Sequence, residues 1–483
     1  MIQSFVVIFL NEFRIFRSNI HLNLKTTVMK KCNLCFSFIV SLFLFLSGSS
    51  VYSQVTRPDD FFGFHPGADR MLFDYEQLVS YLEKVDAQSP RLEMRQIGTS
   101  PMGKPMYAAF FSSPENIERL DTLKEINREL AINTGLTKDR REAMIREGKV
   151  FFIATLSMHA NEVGPSQAAP LIAYKLASTQ NPDTLRWLEE VVYMMIPSHN
   201  PDGMNMIVQH YKKYKDTKYE GSSMPGVYHK YVGHDNNRDF VTLTQEDNQA
   251  ISCIFSKTWF PQVMVEKHQM GSTGPRYFVP PNHDPVAENI DASLWNWIGL
   301  FGMNMAKDMT REELAGVSQH YAFDNYWPGS TETCIWKNVI GFLTESASAK
   351  YATPVYVEPN ELSVWGKGLA EYDKSINMPL PWEGGWWKLS DILNYEVVST
   401  MSIIKTCYQH KKDILRFRNE MSRKETEKGR TRAPYYYIFP VEQHDPGELV
   451  DLVNLLGQHG VERYRLKQDV EVQSTLFHKG DIV

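Results

Sequence analysis

Four stretches of the 483-residue chain share one pattern, an apolar run of strand length that ends in polar, ionisable residues. Val150 to Met158 runs into His159-Ala160-Asn161-Glu162, and Val191 to Ile196 runs into Pro197-Ser198-His199-Asn200-Pro201-Asp202-Gly203. Gln262 to Val265 runs into Glu266-Lys267-His268-Gln269, and Val339 to Leu343 into Thr344-Glu345-Ser346. Uninterrupted apolar runs are what strands buried on both faces require. Helical patterns separate them, for example Gly164 to Leu176, and the alternation predicts an α/β sheet. In such sheets ligands gather beyond the carboxyl ends of the strands, where these polar residues fall. Gly98-Thr99-Ser100-Pro101-Met102-Gly103-Lys104 looks like a phosphate-binding loop. Pro105 stands where a magnesium-holding Ser or Thr would be, however, and a strand-like run follows, so a hairpin turn is expected.

Both ends of the chain break the pattern. Lys30-Lys31, the apolar run Asn33 to Leu46 and a small-residue stretch ending at Ser53 describe a leader and signal peptide over residues 1–53, cut before Gln54. Met29 is an alternative start. The run is too short to span a bilayer, and neither Cys32 nor Cys35 follows a lipobox-like sequence. Export to the periplasm, cell surface or medium is therefore the expectation. Residues 54–418 are predicted to be the catalytic-type domain with an N-terminal extension. Asn419 to Arg432 is charged and reads as a linker. A strand at Ala433 to Pro440, a helix at Pro446 to Gly457 and a strand beginning at Arg463 read as the start of a second α/β domain over 433–483, apparently truncated.

The composition is that of a globular protein, with 43% hydrophobic and 22% charged residues. The net charge of −6 without a basic stripe makes nucleic acid a poor partner. Past the leader only Cys253, Cys334 and Cys407 remain, too few for a disulfide framework, and core packing is their expected role. The chain past the leader contains no Gly-x-Ser-x-Gly, His-Glu-x-x-His, Cys-x-x-Cys or internal repeat. What remains is a metal constellation. His159 and Glu162, three apart at a strand-to-helix turn, can converge on one cation, and His268 can supply a third ligand from a neighbouring strand. Two His and one Glu are a ligand set of catalytic zinc with a position open for water.

The words around these residues resemble the zinc carboxypeptidase family. In order they are Phe73 to Leu82, Gln96 to Pro105, His159-Ala160-Asn161-Glu162-Val163-Gly164, Asn200-Pro201-Asp202-Gly203, Gly233 to Phe240, His268 and Leu343 to Ser346. The resemblance spans residues 70–380. It implies a carboxypeptidase-like α/β/α sandwich, an α/β fold with a mixed, mostly parallel sheet, that removes the C-terminal residue of peptides, with one Zn2+ held by His159, Glu162 and His268. By the same resemblance Glu345 is the general base, and Asp235 fixes a ligand histidine. Asn237 and Arg238 clamp the substrate's terminal carboxylate. Tyr326 matches the family's mobile tyrosine, with Tyr321 as rival. The family's oxyanion-steadying arginine has no counterpart after Asn200-Pro201-Asp202-Gly203, which leaves Lys212 or Arg276 as candidates. His199, His234 and His283 read as loop hydrogen-bonding groups, and Trp382, Trp386 and Trp387 as core or pocket wall. The rival readings are a non-catalytic peptide- or metal-binding protein on the same scaffold, an amidase acting on cell-wall peptides, and a non-haem iron oxygenase. The oxygenase would leave Glu345 and the clamp without purpose.

Overall fold

In the computed structural model of the chain the described residues are 54–229, 235–321, 323–325, 329–364 and 367–483. The expected leader, Tyr326 and His234 lie outside them. The four polar-tipped runs become the middle of an eight-stranded mixed sheet. Its strands are β1 (Leu92–Thr99), β2 (Pro105–Phe111), β3 (Val150–Leu156), β4 (Val191–Ile196), β5 (Val263–Met270), β6 (Tyr277–Phe278), β8 (Val317–Ser318) and β10 (Ile340–Ala347), in the spatial order β1-β2-β4-β3-β5-β10-β6-β8. The centre, β4-β3-β5-β10, is parallel, while β1 and β2 add an antiparallel hairpin at one edge. Every residue of β3, β4, β5 and β10 is buried, which explains the apolar runs that open them. Three ribbons lie apart from this sheet: β7 (His283–Val286) with β9 (Asp324–Asn325), β11 (Val355–Val357) with β12 (Gly385–Trp387), and β13 (Val470–Val472) with β14 (Thr475–Phe477).

The helix Leu389–Gln409 crosses one face of the sheet, touching β3, β4 and β10, and is flanked by the helices Ala292–Arg311 and Gly164–Ser178. A buried ion pair holds it there: Lys267 of β5 places its Nζ 2.7 Å from Glu396 Oε2 and donates to Ser399 Oγ at 2.6 Å. The helix Glu246–Cys253 packs on β1. The suspected phosphate loop is the β1–β2 turn, closed by Ser100 N to Lys104 O at 2.8 Å, with Gly103 at a left-handed φ of 84°.

The expected linker is corrected. Residues 419–431 are the second half of the helix Lys411–Thr431, which packs on the helix Leu120–Ile132. Ile414, Leu415, Phe417, Arg418, Met421 and Ser422 are buried at helical spacing, so the charge run that looked like a linker is the solvated face. The expected strand at 433–440 is reduced to an isolated bridge, Phe439 with Ile482, and that at Arg463 to a bridge between Arg465 and Ile482. The helix between them is present at Pro446–Gln458, with Gly457 as its one buried residue. By its contacts this segment belongs to the same compact unit as the rest of 54–483. Among the described residues no helix is long and apolar enough to cross a membrane.

Candidate metal centre and active site

The site is assembled by strand ends and their turns. After β3 the chain turns sharply: Glu162 N donates to His159 O at 2.9 Å, Ser157 Oγ to Glu162 O at 2.7 Å, and Ser166 N to Ser157 Oγ at 3.0 Å. This sets His159 and Glu162 side by side before the helix Gly164–Ser178. On β5 side chains alternate between faces, so Glu266 and His268 share one face and Lys267 points through to the other. The parallel register places Glu345 of β10 directly beside His268.

His159, Glu162 and His268 come together with candidate ligand atoms all within 4.8 Å of one another. Glu162 sits between the two imidazoles, with His159 Nδ1 2.9 Å from Oε1 and His268 Nδ1 2.9 Å from Oε2. It also accepts Gln269 N at 3.0 Å. Each outer nitrogen meets another carboxylate: His159 Nε2 lies 3.0 Å from Asp235 Oδ1, and His268 Nε2 lies 3.2 Å from Glu266 Oε2. Both imidazoles therefore aim Nδ1 inward and are steered from behind.

The charges follow from this crowding. Burial would lower the pKa of His159, but Glu162 and Asp235 raise it to about 9. Burial likewise opposes the charged form of His268, and Glu266 and Glu162 overcome it and drive its pKa up. Burial would raise Glu162, yet the two histidines bring it down to about 2. The protein thus supplies concentrated negative charge around two inward-facing nitrogens. A divalent cation fits such a donor set, taking the place of the protons the histidines would otherwise hold. Glu345 is different. Buried, with Oε2 making no hydrogen bond among the described residues, it is pushed up to about 8 by desolvation, reinforced by Glu162 and Glu266 and opposed by His268 and His159.

Asp235 opens a 3-10 turn, Asn236–Arg238, whose cap it forms by accepting Asn237 N at 2.8 Å. The turn is anchored from below. Asn236 Nδ2 donates to Met158 O at 3.1 Å, and Asn248 Nδ2 donates to Asn236 O at 2.7 Å. The buried Asp239 carboxylate accepts from Thr242 Oγ1, Thr244 N, Thr244 Oγ1, Gln245 N and Asn248 Nδ2. Arg238, with 47% of its side chain exposed, leans towards Asp235 at 3.8 Å, and Asn237 Nδ2 reaches to 3.5 Å from His268 Nε2. The proposed clamp therefore borders the metal cluster.

Neither oxyanion candidate is brought to the cluster. Lys212 ends the helix Pro201–Tyr214 and lies 3.9 Å from Asp74, where that carboxylate caps the helix Tyr75–Asp86. Arg276 is fully buried, its guanidinium 4.2 Å from the Trp382 ring centre and 4.9 Å from that of Trp387, and donates to the Ser272 and Gly274 carbonyls. Both are corrections, since helix direction and aromatic packing commit these side chains elsewhere. Tyr321 is buried in a small apolar cluster with Phe278, Leu343 and Met378. His199, lowered to about 4 by burial, places Nε2 2.9 Å from Asn248 Oδ1, and His283 contacts the Asp284 carbonyl. Trp387 is buried and Trp386 exposed, while Cys334 and Cys407 are buried.

Asn200-Pro201-Asp202-Gly203 proves architectural. Asn200 caps the helix Pro201–Tyr214 by accepting Gly203 N at 2.8 Å, and Asp202 holds the β1–β2 turn through Ser100 Oγ at 2.8 Å and Met102 N at 3.0 Å. Sequence reasoning gave no role to Glu266, although its place two residues before His268 on a strand is the signal that puts both on one face. It also passed over Asp239 and Asn248, whose contacts no local pattern reveals.

The zinc carboxypeptidase family matches residues 78–262, a stretch that holds His159, Glu162 and the Asp235–Arg238 turn and stops short of His268 and Glu345. No curated protein matches the chain. Among solved structures, carboxypeptidase A from Helicoverpa armigera is similar at 13% identity and a TM-score of 0.43, over 70% of this chain and 74% of that one. A metallo-carboxypeptidase from Burkholderia cenocepacia is similar at 12% identity and a TM-score of 0.42, over 69% and 70%. A murein-tripeptide amidase from Escherichia coli O157 is similar at 12% identity and a TM-score of 0.26, over 53% and 84%. The zinc-binding word and the Asp-x-Asn-Arg block both lie inside the matched stretch, so this part of the chain is similar to the zinc carboxypeptidase family.

Proposed function

We propose that the chain is an exported zinc-dependent hydrolase that removes the C-terminal residue of peptides. The observation that carries this reading is the convergence of His159, Glu162 and His268 beside Glu345, with the Asn237–Arg238 turn on the border of the cluster. His159, Glu162 and His268 are the residues that would hold the metal. Zinc, when bound, lowers the pKa of a coordinated water and polarises the scissile carbonyl. Glu345 takes the proton from the attacking water and delivers it to the leaving amine. Burial makes its carboxylate a stronger base, which suits taking that proton, while a nearby cation would favour the ionised form that must accept it. Asp235 and Glu266 keep the imidazoles oriented. Arg238 receives the substrate's terminal carboxylate as a planar fork, and Asn237 adds a donor at the same turn.

A second reading, a protein that holds a peptide without cutting it, is favoured by one observation: Lys212 and Arg276 are both committed away from the cluster. The deciding experiment offers the zinc-loaded chain from Gln54 onward matched peptides that differ only in a free or an amidated C-terminus. Loss of single C-terminal residues from the free peptides, with the amidated ones cut at least tenfold more slowly, is expected. Equal cutting of both would remove the clamp, and saturable binding without cutting would establish the second reading.

A further inference from the structure

We infer that Glu266 is the positioning carboxylate of the third metal ligand, the buried counterpart of what Asp235 does for His159. The inference rests on the zinc reading and extends it to a residue that the family resemblance leaves without a role. Glu266 Oε2 lies 3.2 Å from His268 Nε2, on the same strand and the same face of the sheet. Its cross-strand neighbours in register are Thr155 of β3 and Leu343 of β10, which places it in the middle of the sheet, and 1% of its side chain is exposed. An acidic side chain does not settle in such a place without compensation, because an uncompensated buried charge costs several kcal/mol. His268 is the partner at hand. With Nδ1 turned inward to the cluster, its Nε2–H points back at Glu266, and a cation on the inner nitrogen makes that N–H a stronger donor.

The two carboxylates differ in a way that has consequences. Asp235 has 40% of its side chain exposed, stands on a turn and also faces Arg238, so it can shift when substrate engages the turn. Glu266 is fixed in the sheet. His268 is therefore the rigid ligand of the pair and His159 the adaptable one.

The test is metal affinity, measured by competition with a chromophoric chelator, together with the visible spectrum of the cobalt-substituted protein. Glu266→Met removes both charge and acceptor; Glu266→Gln keeps an acceptor oxygen and loses the charge. Glu266→Met is expected to weaken zinc binding by about ten- to a hundredfold and to alter the cobalt d–d bands. Glu266→Gln is expected to show a smaller loss and bands close to those of the parent. If Glu266→Met does not fold, Glu266→Gln alone still decides, since its affinity must fall measurably. Zinc affinities within twofold of the parent together with unchanged cobalt bands would overturn the inference. Failure of the parent chain itself to bind zinc would instead overturn the zinc reading beneath it.

Discussion

At the residue scale the site depends on four carboxylates in three different circumstances. Glu162 faces the cation position, Asp235 and Glu266 stand behind the histidines, and Glu345 is protonated by burial. The sequence singled out Glu162 and Glu345 by their places at strand ends, and Asp235 through the family resemblance. Glu162 lies three residues from a histidine at a strand end, and Glu345 interrupts an apolar strand. Glu266 was legible only through the period of two, and Asp239 not at all, because its donors come from Thr242, Thr244 and Gln245 of a loop and Asn248 of the helix that follows, which no single period connects. A further acid, Asp247, gives a clean prediction away from the metal cluster. Burial raises it from an ordinary value of 3.8 to about 7, while its Oδ1 accepts Asn248 N at 2.9 Å. The unfolded chain releases this proton near pH 4 and the native state keeps it until near pH 7, so Asp247 costs stability increasingly as pH rises across that window. Asp247→Asn preserves the acceptor and removes the charge. Denaturant unfolding at pH 4 and pH 8 is expected to show the variant gaining on the parent by a few kcal/mol between the two. Parallel pH dependences would show that Asp247 is ionised in the native state.

At the element scale the strands were readable because they are buried on both faces, and the β1–β2 turn because Pro105 and the run after it exclude a phosphate loop. What could not be read was the direction in which long side chains leave their helices. Lys212 lies within the stretch where a family arginine is expected, yet its helix carries it to Asp74. The charged stretch 419–432 misled for a related reason. Its apolar and small residues, Met421 and Ser422, follow a helical stripe begun at Ile414, and a window opened at Asn419 misses most of that stripe. The Asn-Pro-Asp-Gly segment shows how a motif works through geometry. A Cβ on Gly203 would sit 2.3 Å from Tyr228 O and 2.6 Å from Ala160 Cβ, and Ala160 adjoins the ligand His159. Gly203→Ala is therefore expected to lower stability by about 1–3 kcal/mol, measured by thermal unfolding of the metal-free protein. It should weaken zinc binding as well, through His159. A variant as stable as the parent would mean that the two segments yield freely.

At the scale of the whole molecule, the parallel centre brings β3, β5 and β10 side by side, so residues 159, 268 and 345 meet although up to 186 positions separate them in the sequence. That convergence was legible because strand ends in a parallel sheet share one rim. The arrangement of 433–483 was not. Its helix exposes Val450 and Leu452, its neighbours Tyr435, Tyr436 and Tyr437 are exposed, and pairing there is limited to two bridges and the β13–β14 ribbon. Apolar spacing predicted the helix, but strands require partners, and only single bridges join 439 and 465 to Ile482. His459 nonetheless ties the segment to the loop after Asp239, with Nε2 2.8 Å from Val241 O, two residues beyond that carboxylate. The central claim is that the cluster at this rim is a zinc centre whose chemistry passes through Glu345. The most direct measurement compares parent and Glu345→Gln for bound zinc and for release of C-terminal residues from a peptide pool by mass spectrometry. One zinc per chain in both proteins, with release slowed by about 10²–10⁴-fold in the variant, is the predicted result. Full activity in the variant, or hydrolysis by a parent chain stripped of zinc, would contradict it.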